Sequence, residues 1–166
     1  MTVNFGDGTT IDSGGSLGKV LQVKHDAADN FSSSNTGYVD TGLSMSITPA
    51  STSSFFIITI NGIGSTSGTD SGQGVFRLVR DSTTVANQKV IADNNNQNGE
   101  AFAVVEGSRE RYPVTTSLKD SPNTTSQITY KLRVASPQGQ TAYLGRWGIN
   151  NDWSVNTYMT VYEISG

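Results

Sequence analysis

Apolar and polar residues alternate one by one along much of this chain, and this period-two pattern constrains the fold more than any other feature. In residues 42–49, Leu43, Met45 and Ile47 alternate with serine and threonine. Successive side chains of a β-strand point to opposite faces, so this alternation predicts strands with one buried face. No segment shows a convincing helical period. The strand candidates are residues 19–25, 42–49, 55–63, 74–83, 100–107, 112–118, 126–136, 141–147 and 157–164.

The segments between these candidates are rich in the residues that form turns. Examples are GSTSGTDSGQG at 64–74, DNNNQNG at 93–99 and KDSPNTT at 119–125. Eight to ten short strands separated by such turns predict an all-β fold, built as an antiparallel sandwich or barrel. Because 166 residues suit one domain, we expect residues 18–166 to form it.

The composition excludes several classes of function. The chain has no cysteine, which removes disulfides, thiol catalysis and thiolate metal sites. A net charge of −3 argues against a nucleic-acid partner, which would require a clustered basic face. No apolar stretch approaches the roughly 20 residues of a membrane helix, so no membrane insertion is expected. The N-terminus also lacks the basic and apolar regions of a signal peptide.

The glycines that follow the longest apolar run raise the question of a nucleotide site. Gly62, Gly64 and Gly68 come after residues 55–61 in a pattern one residue longer than the dinucleotide fingerprint. That fingerprint requires a helix whose N-terminus faces the pyrophosphate, and STSGTDSGQG cannot form one. We therefore expect a central strand whose glycines open a long loop, and whose second face is covered by another subunit.

Other catalytic and metal-binding patterns are also weak. His25 is the only histidine, so a site with several imidazoles is excluded, and no nucleophile elbow accompanies it. Residues 93–100 offer oxygen ligands but lack the glycine and glutamate of a calcium loop. The four glutamates form no evident acid–base pair. We therefore expect no enzymatic activity, no catalytic residue, no metal and no cofactor.

The best binding candidate is the aromatic segment near the C-terminus. Tyr143, Trp147, Trp153 and Tyr158 lie in and around a loop that also carries asparagine and aspartate. Flat aromatic rings beside amides and carboxylates suit stacking against sugars, so these four residues are candidate contacts to a glycan or receptor. The alternative is that they fill the end of the core or a subunit interface.

Residues 1–17 are expected to form a short, extended N-terminal arm. The glycines in GDGTT and DSGGS suit turns and a joint. Val3, Phe5 and Ile11 supply apolar contacts, and we predict that they attach the arm to a partner. The alternative is a loosely ordered terminus.

Several segments resemble a known family beyond the general strand pattern. They are GKVLQV (18–23), YVDTGLSMSITPASTSS (38–54), FRLVRDSTTV (76–85), LKDSPNTTSQITYKLRV (118–134) and TVYEISG (160–166). In this order they resemble the β-domains of bacteriophage virion proteins, especially of marine and cyanobacterial phages. These domains occur in capsid decoration proteins, head fibres and tail-fibre tips.

The resemblance implies a jelly-roll-like sandwich that assembles as a homotrimer without enzymatic activity. It implies a place on the particle surface after synthesis in the host cytoplasm, with the major capsid protein or a tail component as partner. Because only about 17 residues precede the first family strand, a capsid decoration protein or short head fibre fits better than a complete tail fibre. The alternative is a tail-fibre-type module that binds a receptor or host glycan.

The strand patterns give the trimer some support of their own. Val75, Val79, Met159 and Val161 would make a second apolar face on two strands. A sandwich strand with two apolar faces is expected to pack one of them on a neighbouring subunit.

Overall fold

The structure is a computed structural model that describes residues 3–4, 10–11, 18–67, 72–85, 101–106, 111–146 and 154–166. The described residues are strands, turns and loops, and none of them forms a helix that could cross a membrane. The strands are β1 (Val3–Asn4), β2 (Thr10–Ile11), β3 (Val20–Ala28), β4 (Phe31–Ser33), β5 (Val39–Ile47), β6 (Phe55–Thr66), β7 (Gln73–Arg80), β8 (Thr83–Thr84), β9 (Ala103–Glu106), β10 (Tyr112–Asp120), β11 (Ile128–Ala135), β12 (Ala142–Leu144) and β13 (Thr157–Ile164).

Two antiparallel sheets form a sandwich. The first, which we call the six-stranded sheet, has the long strand β6 at its centre. One edge of β6 pairs with β10, while β13 and β12 follow each other along the other edge. β3 then pairs with β13, and β4 pairs with β12. The second, the five-stranded sheet, runs β5-β11-β7, and both β8 and β9 pair with the far edge of β7.

The eight principal strands follow jelly-roll connectivity. The strands β3, β13, β6 and β10 are the first, eighth, third and sixth of these eight in chain order. The facing strands β5, β11, β7 and β9 are the second, seventh, fourth and fifth. This order is that of two interleaved Greek keys, and the predicted all-β, jelly-roll-like sandwich is confirmed.

The core lies between the two sheets and follows the alternation in the sequence. Leu43, Met45 and Ile47 of β5 point inward, as predicted. Opposite them, the inner face of β6 presents Phe56, Ile58 and Ile60, all fully buried. The other main residues of this hydrophobic core are Phe76, Leu78, Val114, Ile128, Tyr130, Leu132, Val134, Leu144, Met159 and Val161.

The glycines of β6 belong to the strand rather than to a loop. The strand continues to Thr66, so Gly62 and Gly64 are paired residues within the sheet. A Cβ atom at Gly64 would lie 2.9 Å from Val114 Cγ2 and 3.0 Å from Val105 Cγ1. Glycine is therefore required here by close packing inside the sandwich.

The structure bears on two further expectations, the second apolar face of two strands and the N-terminal arm. Val75, Val79, Met159 and Val161 are all at most 1% exposed within the single chain, so they cannot form a subunit contact. In the predicted arm, Val3 lies opposite Ile11 in the β1–β2 pair, and the rest of residues 1–17 lies outside the described part of the chain.

Candidate functional site

The outer face of the six-stranded sheet presents an ordered array of side chains. The pairing register of β3, β13, β6 and β10 aligns outward-facing side chains in rows across the strands. The first row holds Ala27, Tyr158, Asn61 and Thr115; the second holds His25, Thr160, Thr59 and Ser117; the third holds Val23, Tyr162, Ile57 and Lys119; and the fourth holds Val20, Ile164 and Phe55.

The third and fourth rows make an apolar patch, defined as Val20, Val23, Phe55, Ile57, Tyr162 and Ile164. Val20 and Val23 of β3 are 49% and 52% exposed, and the other four are partly exposed. Leu21, at the end of the same edge strand, is 40% exposed. Among the described strands, β3 has no neighbour beyond β13, so the patch ends at an open sheet edge. A chain normally buries large aliphatic side chains, and a contiguous group left exposed marks a contact surface.

The first and second rows carry mostly hydroxyl and amide groups. Tyr158 is 42% exposed, and its ring stacks on the His25 ring with 5.5 Å between centroids. His25 Nδ1 in turn hydrogen-bonds to Thr160 Oγ1 at 2.9 Å. The stacked pair gives this polar half a fixed aromatic platform beside Asn61.

The four aromatic residues predicted to contact a ligand are placed differently from one another. Tyr143 of β12 is only 8% exposed, and the Arg146 guanidinium lies 4.8 Å from its ring centroid. Tyr158 is exposed on the outer face. Trp147 and Trp153 lie outside the described residues, in a segment whose two ends are joined by the bridge between Arg146 and Ser154.

The arm residues are also placed only in part. Val3 and Ile11 are opposite each other in β1 and β2, whereas Phe5 lies outside the described residues. The chain enters the sandwich beside the apolar patch. A Cβ atom at Gly18 would clash with Ile164 Cγ2 and would lie 3.8 Å from the Phe55 ring. Gly18 therefore lies at a corner of the outer face.

The inner face of the same sheet holds a buried carboxylate that the sequence did not reveal. Glu163 of β13 is fully buried and continues the inward row of Met159 and Val161. Its Oε2 accepts a hydrogen bond from Gln22 Nε2 at 2.5 Å, and its Oε1 accepts one from the Ala50 backbone amide at 2.7 Å. It thereby fixes the turn between β5 and β6.

The surroundings of Glu163 favour its charged form. Burial acts to raise the pKa of the carboxyl group, but hydrogen bonds from Gln22 and from the backbone amides of Ala50 and Ser51 outweigh burial. The pKa of Glu163 is therefore held below its ordinary value of 4.5. This carboxylate has a structural task and is shielded from any substrate.

A second carboxylate, Asp120 of β10, joins the two sheets. Its Oδ2 accepts a hydrogen bond from Arg80 Nη1 at 2.6 Å and another from the Tyr130 hydroxyl at 2.8 Å. Burial, together with the adjacent carboxylate, raises the pKa of Tyr130 far above its ordinary value of 10.0. Arg80 and Tyr130 belong to the five-stranded sheet, so this triad ties the sandwich together at one end.

The two carboxylates do not form a catalytic pair. Glu163 and Asp120 lie in the same inward row, on opposite sides of Phe56. The Phe56 side chain is fully buried, and each carboxylate is held by its own set of donors. A glycosidase requires two carboxyl groups that face one open groove, and this row does not provide that arrangement.

The motifs that carry the family resemblance meet near this triad. Arg80 and Asp81 come from RLVRDS, and Asp120 comes from DSPNTTS. Asp81 has a positive φ of 54°, and its Oδ1 accepts the Thr129 backbone amide at 2.9 Å. The motif residues therefore hold strand ends together.

The outer face of the five-stranded sheet contains a compact ion cluster. Asp40 pairs with Lys131 at 3.2 Å and with Arg133 at 2.8 Å. The Arg77 guanidinium lies 3.8 Å from the Tyr38 ring centroid. The same face also carries Val75 and Val79 of β7, both buried, so its apolar residues are covered, in contrast to the apolar patch.

No group of three or more metal-binding side chains occurs among the residues that the structure describes. The weak calcium pattern at residues 93–100 lies outside them. The described part of the chain therefore offers no metal centre to which a mechanism could be assigned.

Comparisons with known proteins found only a distant structural similarity. No family model matches it. No curated protein matches it either. One solved structure similar to it is the infectious bursal disease virus VP2 subviral particle, at 15% sequence identity and a TM-score of 0.37. The match covers 89% of this chain, which spans only 38% of the length of that chain, and it says nothing about function.

Proposed function

We propose that this chain is a non-enzymatic structural protein of a bacteriophage particle. In the simplest form it is a capsid decoration protein or a short head fibre, attached by its N-terminal arm and assembled as a trimer. The observation that carries this proposal is the structural role of the motif residues, which join strand ends of the sandwich. Three residues of the segments that resemble phage virion domains make hydrogen bonds within the sandwich: Arg80 donates to Asp120, and Asp81 accepts from the Thr129 amide. The resemblance therefore rests on residues that build the fold.

The rest of the site fits a protein that assembles. The carboxylates of Glu163 and Asp120 are hydrogen-bonded by donors within the chain, and the prominent exposed surface is a sheet face with an apolar half. Jelly-roll sandwiches occur in both viral capsid and lectin domains, so the fold itself is compatible with the proposal but does not establish it.

The proposal can be tested by locating the chain on particles of the virus that encodes it. Antibodies raised against the purified protein are applied to intact particles and visualised by gold labelling in the electron microscope. We expect label over the head surface. Label confined to the tail tip would favour the fibre alternative, and purified particles that lack the chain would overturn the proposal.

A second candidate, binding to a host glycan, has one favourable observation. The exposed Tyr158 ring is held in place by stacking on His25, with Asn61 in the same row. Preordered rings of this kind suit sugar stacking. On a glycan array, Tyr158→Ala is expected to abolish binding while Tyr162→Ala, in the apolar patch, retains it. Absence of glycan binding by the unmodified protein would exclude this candidate.

A further inference from the structure

We infer that the apolar patch on the six-stranded sheet is the surface on which a second copy of this chain packs. The inference rests on the proposed function in one respect, namely that the chain assembles with itself. It specifies the contact as the second face of β6 with the neighbouring β3 and β13, which agrees with the expectation for the central strand but not with the one for Val75, Val79, Met159 and Val161.

The first support is the contrast between the two sides of the same strands. On the inner face of β6, Phe56, Ile58 and Ile60 are completely buried. On its outer face, Phe55 and Ile57 are similarly large and apolar, yet no described strand lies over them and they remain partly exposed. A strand that is apolar on both sides is typical of a sheet covered on both sides. Among the described residues, the five-stranded sheet covers the inner side of β6, and no strand covers its outer side.

The second support is the location of the exposed aliphatic residues on the edge strand. Val20, Leu21 and Val23 are 49%, 40% and 52% exposed. An exposed apolar edge strand promotes association unless charges or a covering segment protect it. Here the charged residue Lys24 faces the sandwich side, where its Nζ donates a hydrogen bond to the Ser46 carbonyl at 2.7 Å. The outer side of the edge therefore keeps its apolar character.

The charge distribution of the patch suits a copy of the same chain as its partner. The third and fourth rows carry one charged side chain, Lys119, at the end of the third row. Its ammonium lies 4.3 Å from the Phe55 ring centroid, at the border of the apolar patch. When copies bring this same patch together, across a two-fold axis or around a three-fold axis, the valine, isoleucine and phenylalanine side chains of one copy face apolar side chains of another, and no cluster of like charges forms. The net charge of −3 on each copy resides elsewhere.

The size of the face sets what the contact must include. Four strands about 4.8 Å apart and about seven residues long, at roughly 3.3 Å per residue, cover about 440 Å² in projection. A stable interface buries about 800 Å² of accessible surface on each partner. Because this area already includes the hydroxyl rows, the contact must use the whole face, with those rows as a polar rim, and must also extend around the edge at Leu21. This arrangement of apolar centre and polar rim is common in protein interfaces.

The test introduces a charge into the patch of the full-length chain. Val23→Asp places a carboxylate at the most exposed of these aliphatic positions, where the folded single chain has room for it. Ser44→Asp is the matched control, because Ser44 is exposed on β5 of the other sheet. Molar mass is measured by light scattering after size exclusion at micromolar concentration, and folding is checked by thermal melting.

We expect the unmodified chain and Ser44→Asp to show a multiple of 17.6 kDa, and Val23→Asp to fall to 17.6 kDa with an unchanged melting curve. If Val23→Asp does not fold, Val20→Lys replaces it with the same expectation. A monomeric unmodified chain would overturn the inference and leave the patch to another occupant, such as the capsid surface. An assembly that persists in the folded variants would overturn it too. Neither result depends on whether the chain is found on particles.

Discussion

At the scale of single residues, Glu163 shows how a buried charge can stabilise this fold. Its two oxygens accept hydrogen bonds from Gln22 and from the Ala50 amide. In Glu163→Gln, one oxygen becomes an NH₂ group that faces a donor, so a buried donor loses its partner. We expect the free energy of unfolding in urea to fall by about 1–3 kcal/mol. Asp29→Asn, the same chemical change at an exposed position, should stay within about 0.5 kcal/mol. Equal stability of the two variants would contradict this role.

The lowered pKa of Glu163 also predicts a pH dependence. A carboxyl group whose pKa is lower in the folded than in the unfolded state contributes stability above the unfolded pKa and loses it as the pH falls through the folded pKa. The stability difference between the unmodified chain and Glu163→Gln should therefore be complete above about pH 5 and shrink below the ordinary value of 4.5. Urea unfolding at a series of pH values measures it, and a difference that is constant down to pH 3 would contradict the prediction.

Tyr130 provides the corresponding tie between the two sheets. Its hydroxyl donates to Asp120 at 2.8 Å, and a hydrogen bond to a charged acceptor is stronger than one between neutral groups. We expect Tyr130→Phe to lower the free energy of unfolding by about 1.5–3 kcal/mol. Tyr162→Phe, on the partly exposed outer face, is the control and should change it little. If both tyrosines tolerate the change equally, the triad is not a significant tie.

At the scale of elements, the glycines of β6 are determined by packing inside the sandwich. The Cβ atom of Gly64→Ala would lie within 3.0 Å of two valines and 3.3 Å from the Phe76 ring. Overpacking of this kind typically costs about 1–3 kcal/mol. We expect that loss in urea unfolding for Gly64→Ala, whereas Gly37→Ala in an exposed loop should be close to neutral. A neutral Gly64→Ala would mean that the surrounding side chains move aside freely.

The alternation in the sequence predicts where the strands lie, but it does not always predict which residues of a strand face the core. The pattern of β5 correctly placed Leu43, Met45 and Ile47 inside. At the end of β13, apolarity alone would group Ile164 with Met159 and Val161. The structure instead places Glu163 inside, and a register irregularity follows between Glu163 and Ile164. Apolarity favoured isoleucine, whereas strict alternation would have identified the glutamate. Its partner Gln22 is 141 residues away, a contact that local patterns do not contain.

At the scale of the whole molecule, the jelly-roll connectivity places some polar residues inside the sandwich and some apolar residues on its surface. Its connectivity brings distant motifs together inside, as with Arg80 and Asp120, and leaves the apolar patch outside. The sequence could predict that the central strand has two apolar faces. It could not show that Val75 and Val79 are buried within the chain while Val23 is exposed, because that depends on which strand forms the sheet edge.

The predicted role of the N-terminal arm also belongs to this scale. Residues 1–17, with Val3, Phe5 and Ile11, are predicted to form this arm ahead of the sandwich. If these apolar residues attach the chain to the particle, replacing all three by serine should leave the melting curve of the sandwich unchanged. The same change should remove the protein from particles assembled in infected cells, as measured by immunoblotting of purified particles. Asp7→Asn combined with Asp12→Asn, which alters polar positions of the arm, should preserve incorporation. Because attachment and folding are read separately, unchanged incorporation of the triple variant would reject the arm as the attachment element while leaving the fold and the patch on the six-stranded sheet unaffected.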